Sequence, residues 1–334
     1  MICIFSTSLD QSTTEVIRWL HYLGKKDVIR VNYNDRNIRI CLDITEGQFS
    51  FKWNEKLVYL NDIEAVWYRK GKNWLCDQFF SVTVEDRASF TSYFNNKLKN
   101  EEARLTEYLH YIIENTVPAL GSSTKGNLNK LVVLAMAKAT GLLIPDFYIT
   151  NYREGVEKVF RQLPDLITKS MSDGLYLFDT IEKSTGYFSY TEKLNKNGTT
   201  LLPEQISPSF LQKNIHKKYE VRVFFLENTC YSMAILSQND EQTKTDYRKY
   251  NEKKPNRYVP YKLPRELDQK IKLLFKKLDL NTGSVDLMID QQDNAYFLEI
   301  NPVGQFGMLS DPCNYFLEKQ VALHLLHHAR TRTN

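Results

Sequence analysis

The chain has 334 residues, enough for two domains, or for one fold of two or three lobes, at roughly 150 residues per domain. Its 42% hydrophobic and 25% charged content is that of an ordinary globular protein and excludes disordered, collagenous and coiled-coil chains. Lys and Arg (44) nearly balance Asp and Glu (40), and a net charge of +4 is too small to signal a nucleic-acid partner.

No apolar run reaches the ~18 residues of a membrane span, and the start of the chain, with Asp10 and no basic leader, does not read as a signal peptide. Cys3, Cys41, Cys76, Cys230 and Cys313 are far apart, with no C-x-x-C pair. They read as free thiols in a reducing compartment, so the expected location is the cytoplasm.

The apolar run at 2–5 predicts a strand. Ser12 and Glu15 have the spacing of a capping box, opening an amphipathic helix that Gly24 stops. A strand at 28–32 completes a β-α-β opening. Short strands are expected at 38–42, 48–52, 57–60 and 64–69, then one or two helices over 84–115, ending before Pro118. The Gly- and Ser-containing loop 119–128 marks the first boundary.

Beyond it the pattern predicts a helix over 129–140, a strand at 147–150, a helix near 152–162 and a strand at 166–169. Two strand-like runs near 175–179 and 186–191 follow, and 186–200 reads as a polar, aromatic hairpin. The last third is strand-rich, with runs at 209–213, 220–227 and 230–236, a charged loop at 238–257 and a helix over 264–278. The strands 284–289 and 295–300 form a hairpin across a polar turn, and a final amphipathic helix occupies about 312–331. The expected units are 1–120, 121–208 and 209–334.

Side chains alternate faces along a strand. Val285, Leu287 and Ile289 therefore point one way, and Ser284, Asp286 and Met288 the other. On the facing strand Leu298 and Ile300 take the buried side, leaving Glu299 and Asn301 opposite. Paired as a hairpin, two carboxylates and an amide oxygen converge on one polar surface, a hard-donor set suited to Mg²⁺. Taken alone, the hairpin is more simply a two-sided surface element. The strand 220–227 carries Glu220 and Arg222 on its polar face, and an Arg offers a bidentate fork to phosphate or carboxylate. Lys130 opens a helix after the Gly/Ser loop, and Lys169 ends an apolar strand.

The order Lys130, Lys169, Gln212-Lys213-Asn214-Ile215, Glu220-Val221-Arg222, Asp286, Glu299-Ile300-Asn301 resembles the ATP-grasp superfamily over about 125–310. Residues 1–118 resemble the βαβ pre-domain that accompanies it. The fold class so implied is α/β with α+β lobes: an N-terminal βαβ pre-domain, a central lid lobe and a C-terminal catalytic lobe. Within the superfamily, the segments VWYRKG (66–71), 129–150, 212–225, SQND (237–240) and TDYRKY (245–250) are similar to the graspetide-forming peptide maturases, microviridin-type and grasp-with-SPASM. These install side-chain lactones or lactams on ribosomal precursors.

The resemblance implies roles. Lys130 and Lys169 would contact ATP phosphates, Gln212 with the backbone of Lys213 and Ile215 the adenine edge, and Glu220 the ribose. Arg222 would steady the transferred phosphoryl group. Asp286, Glu299 and Asn301 would bind Mg²⁺, and Asp246 and Arg248 would sit near the acceptor carboxylate. The loop after Lys169 (SMSDG) is poorer in glycine than many phosphate-covering loops of the superfamily.

The implied cofactors are ATP and Mg²⁺, and the implied partner is a ribosomal precursor peptide, leader plus core, with no nucleic acid and no membrane. A homodimer is implied by the resemblance alone, and 186–200 is a candidate leader dock. Two other readings stay open: a ligase that appends a free amino acid to a protein or small-molecule carboxylate, and a non-catalytic ATP- and peptide-binding protein. The basic cluster Lys244, Arg248, Lys249, Lys253, Lys254 and Arg257 reads as a solvated loop or as a flap attracting an acidic peptide. His324 and His328, spaced i and i+4, read as polar residues of a helix end rather than metal ligands.

Overall fold

The computed structural model describes residues 1–32, 38–43, 48–53, 56–69, 82–83, 85, 87–172, 174, 176–178, 186–188, 191–237 and 256–332. β1 (Ile2–Ser6) and β2 (Val28–Asn32) run parallel and are joined by α1 (Gln11–Tyr22), the expected β-α-β opening. The cap differs from the capping box read in the sequence. Asp10, not Ser12, is the N-cap, and its Oδ1 accepts from Thr13 N at 2.8 Å and Thr13 Oγ1 at 2.9 Å. A carboxylate satisfies an orphan amide more strongly than a hydroxyl does and complements the helix dipole.

β3 (Ile38–Asp43), β4 (Gln48–Trp53) and β5 (Lys56–Tyr59) form an antiparallel sheet. β6 (Ala65–Tyr68) pairs parallel with β1. A single 29-residue helix, α2 (Ala88–Thr116), then leads to β7 (Ala119–Leu120), giving the sheet order β2-β1-β6-β7. Parallel sheets are covered on both faces, and period-2 alternation divides the residues between two cores. Cys3, Phe5, Val66 and Tyr68 pack with Leu109 and Ile113 of α2. Ile2, Ile4, Ala65 and Trp67 pack with α1 and with residues from the last third of the chain.

α3 (Lys130–Ala139) follows, capped by Asn129, then β8 (Phe147–Tyr152), α4 (Arg153–Gln162) and β9 (Leu166–Lys169). Next come β10 (Tyr176–Phe178), β11 (Gly186–Phe188), β12 (Glu192–Lys193), α5 (Lys196–Thr200) and β13 (Gln205–Lys213). The central sheet has the order β12-β9-β13-β8, while β10 and β11 pair with each other. Residues 186–200 are therefore not one hairpin. Their strands pair with different partners, and Asn195 Oδ1 accepts from Gly198 N at 2.7 Å, capping a helical turn.

The C-terminal sheet comprises β14 (Lys217–Leu226), β15 (Thr229–Leu236), β16 (Arg257–Pro260), β17 (Thr282–Asp290) and β18 (Ala295–Asn301), in the order β16-β15-β14-β17-β18. α6 (Arg265–Lys277) lies beneath it. Val221, Val223, Phe225, Val285, Leu287 and Ile289 share a core with Leu274 and Phe275 of α6 and with Val133, Leu134 and Ala137 of α3. So α3, from the middle of the sequence, packs under the C-terminal sheet. β13 in turn crosses the expected 208/209 boundary to pair with β8 and β9.

The final helix expected over about 312–331 is α8 (Leu317–Arg332), and a separate short helix, α7 (Gly307–Ser310), precedes it. Asn314 and Phe316 between them have φ of 54° and 50°, a conformation that ends a right-handed helix. Among the described residues no helix is long and apolar enough to cross a membrane.

Candidate active site

A cleft of about 710 Å³ lies between the central and C-terminal sheets, bordered by the start of α3 and by β9, β13, β14, β17 and β18. Its floor is set by strand register. Arg222 on β14 stands opposite Asp286 on β17, and Asp286 stands opposite Glu299 on β18. Directly opposed residues of antiparallel strands share a face. With Val221, Val223, Val285 and Leu287 committed to the core, the charged residues are left facing the cleft.

Strict alternation breaks at one point of β18. Asp286 pairs with Glu299 but Leu287 pairs with Phe297, so the register slips by one residue at Leu298. Phe297, 0% exposed, takes the core seat expected for Leu298, which lines the cleft instead. Alternation assumes a constant register, and a bulge shifts every residue on one side of it. The bulge leaves Glu299 beside Asp286.

The acids are each met by a cation. Arg222 Nη1 lies 3.4 Å from the Asp286 carboxylate, and Nη2 3.2 Å from Ser284 Oγ. Lys130 Nζ lies 3.1 Å from Glu299 Oε2 and donates to Ser170 O at 3.2 Å. Asn301 Oδ1 accepts from Val303 N at 3.0 Å, which fixes the turn after β18. Glu220 is buried in an ion pair with Lys217. Lys169 Nζ lies 5.9 Å over the Phe210 ring, its cross-strand neighbour on β13.

Gln212, Lys213 and Ile215 form the edge of the cleft at the end of β13. Gln212 is 1% exposed, and its Nε2 is buried with no hydrogen-bond partner.

Ten of the twelve site residues read from the sequence thus line one cleft: Lys130, Lys169, Gln212, Lys213, Ile215, Glu220, Arg222, Asp286, Glu299 and Asn301. Asp246 and Arg248 lie outside the described residues, as do Lys244, Lys249, Lys253 and Lys254 of the basic cluster.

The sequence reading missed the support of the loop after β18. Arg69, 3% exposed, donates through Nη1 to Val303 O at 2.8 Å and Gly304 O at 3.1 Å, and pairs with Asp10 at 3.3 Å. Gly304 has φ of +58°, and a Cβ there would meet the Gly283 backbone at 3.1 Å, so the loop lies flat on β17. The N-terminal sheet therefore anchors the loop that follows the acidic pair. The available signal was an arginine directly after the fully buried strand 65–68.

The donor chemistry fits the groups implied by the resemblance. Asp286, Glu299 and Asn301 would offer hard oxygens to Mg²⁺, and Arg222, Lys130 and Lys169 would offer charge to phosphates, all from the lining of one cleft. A buried donor left unpaired costs about 1–3 kcal/mol, and an acceptor on a planar base at Gln212 Nε2 would remove that cost.

This is the fold of the ATP-grasp ligases. A RiPP-associated ATP-grasp ligase from Chryseobacterium gregarium, in complex with ADP and a leader and core peptide, superposes at a TM-score of 0.75 with 22% identity, over 98% of this chain and 96% of that one. The macrocyclase MdnC of Microcystis aeruginosa MRC, bound with precursor peptide MdnA, gives 0.75 with 22% identity, over 98% and 99%. The ATP-grasp ligase PsnB, complexed with minimal precursor, Mg and ADP, gives 0.75 with 15% identity, over 98% and 97%. No protein-family model and no curated protein sequence matches the chain.

Proposed function

We propose that this chain is an ATP-dependent, ADP-forming ligase that cyclises a ribosomally made precursor peptide. It would join Asp or Glu side-chain carboxylates to Thr or Ser hydroxyls or Lys amines. The observation that carries the reading is the charged row Arg222–Asp286–Glu299–Lys130 in one cleft, within a fold shared with ligases whose structures hold leader, core or precursor peptides.

In this reading Lys130 and Lys169 bind the ATP phosphates, Gln212 with the backbone of Lys213 and Ile215 takes the adenine edge, and Glu220 takes the ribose. Asp286, Glu299 and Asn301 hold Mg²⁺, which when bound neutralises phosphate charge. Arg222 steadies the γ-phosphoryl group while the peptide carboxylate attacks it, so that a carboxyl O–P bond forms as the bond to ADP breaks. A hydroxyl or amine then attacks the acyl carbonyl, loses its proton and expels phosphate. Asp246 and Arg248 are assigned to the acceptor side. The segment after Lys169, whose Ser170, Ser172 and Gly174 border the cleft, is placed to exclude water.

The lobes of this reading, 1–120, 121–208 and 209–334, follow the separate N-terminal, central and C-terminal sheets, except that β13 extends the central one to Lys213. The cytoplasm is its location, supported by the free thiols of Cys3, Cys230 and Cys313.

The test is the intact mass of candidate precursor peptides incubated with the protein, Mg²⁺ and ATP, with ADP followed in parallel. Loss of one water per ADP released is expected. A mass gain of one amino-acid residue would replace this reading with an amino-acid-appending ligase. Peptide binding without ADP release would replace it with a binding protein.

A further inference from the structure

Away from the cleft, three side chains of metal-ligand type meet at the end of β14. Glu227 stands in the turn between β14 and β15, at a φ of +53°, and its amide donates to Asn281 O at 2.7 Å. His324 and His328 stand one turn apart on α8. Leu317, Val321, Leu325 and Ala329 of that helix are buried in the core shared with the N-terminal sheet, which fixes how the helix is turned. A ligand atom from each of Glu227, His324 and His328 lies within 4.8 Å of the other two.

The spacing has the scale of a coordination sphere. Glu227 Oε1 lies 3.5 Å from His324 Nε2. Two ligands of a tetrahedral zinc ion, each ~2.1 Å from it, stand ~3.4 Å apart. His324 Nε2 is buried and makes no hydrogen bond, so its approach to the carboxylate is not one. A buried polar atom left without a partner calls for an occupant that the protein does not itself supply. Two imidazoles with one carboxylate select a borderline transition metal over Mg²⁺, which prefers an all-oxygen shell.

We propose that Glu227, His324 and His328 form a Zn²⁺ site, its fourth position taken by water, that ties α8 to the end of β14. Glu227 is five residues along from Arg222, ~17 Å of extended strand, so this site is separate from the cleft. Its role is mechanical. α8 packs on the core under β1 and β6, and β14 carries Glu220 and Arg222, so the ion pins the outer helix to the strand that aligns the cleft. The histidine spacing was legible in the sequence, but the third ligand comes from a turn brought alongside only by folding.

Full-length protein stripped of metal with a chelator is titrated with ZnCl₂ in excess MgCl₂ by calorimetry, and with CoCl₂ by visible absorption. One Zn²⁺ per chain, a raised thermal midpoint and Co²⁺ ligand-field bands are expected. H328A and E227Q should each weaken Zn²⁺ by ~10-fold or more and remove the Co²⁺ bands. H327A, on the same helix but outside the three ligands, should bind as the parent does, and so should D286N in the cleft. E227Q is isosteric at a half-exposed turn, so its result does not depend on whether the helix variants fold. Absence of saturable Zn²⁺ binding, unchanged affinity in E227Q, or equal loss in H327A and H328A would overturn the proposal.

Discussion

Arg222 and Asp286 stand directly opposite each other on adjacent antiparallel strands, and the Arg222 guanidinium reaches the Asp286 carboxylate at 3.4 Å. The pair joins two proposed roles, phosphoryl stabilisation and Mg²⁺ binding, at one point of the sheet. Replacing Arg222 by Lys keeps the charge but loses the planar fork. R222K should lower kcat for ADP release by ~10²-fold with little change in the KM for ATP. D286N should lower kcat at least as far and raise the Mg²⁺ concentration needed for half activity. Parent-like kinetics in both variants would remove these residues from the mechanism.

Gln212 offers a separable test of nucleotide binding. Its buried Nε2 has no partner, so Q212L removes an unsatisfied donor without opening a large void. The ligand-free protein should be as stable as the parent, or more so, in urea titration. The KM for ATP should rise by ~10-fold, the worth of one lost hydrogen bond. A loss of stability with unchanged ATP affinity would place Gln212 in the scaffold rather than at the nucleotide.

Glu220 is held by Lys217, and the two are 6% and 4% exposed. Removing one partner of a buried ion pair leaves the other charge uncompensated, at about 3–5 kcal/mol. E220Q should therefore lower the unfolding free energy read from urea titration by an amount of that order, while the double variant K217M/E220L should recover much of it. Non-recovery in the double variant would mean that Glu220 contributes through contacts other than Lys217.

The acid limb of stability should carry the mark of His110. Burial pushes its imidazole down to about 3, beside the Tyr68 hydroxyl at 3.1 Å. The unfolded chain takes up this proton near ~6.5 and the folded one does not. The contribution is thus complete above ~6.5 and falls by about 1.4 kcal/mol per pH unit toward the folded value. Urea titrations at pH 7, 6 and 5 should show a shallower decline in H110Q than in the parent. Parallel declines would contradict the assignment.

What the sequence determined by itself was local. Alternation placed Arg222 and Asp286 opposite the core residues Val223 and Val285, and the Asp290–Asn294 turn made a hairpin of β17 and β18. Those outcomes depend on period-2 geometry and turn chemistry, which neighbouring residues carry. Tertiary structure decided what depends on partners distant in the chain. It set the slip at Leu298 that brings Glu299 opposite Asp286, and seated α3 under the C-terminal sheet so that Lys130 meets Glu299. It also made Arg69 the anchor of residues 303–304 and placed Glu227 against His324. A periodic pattern says which face a residue takes, but burial against a particular neighbour fixes which residue of another element it meets.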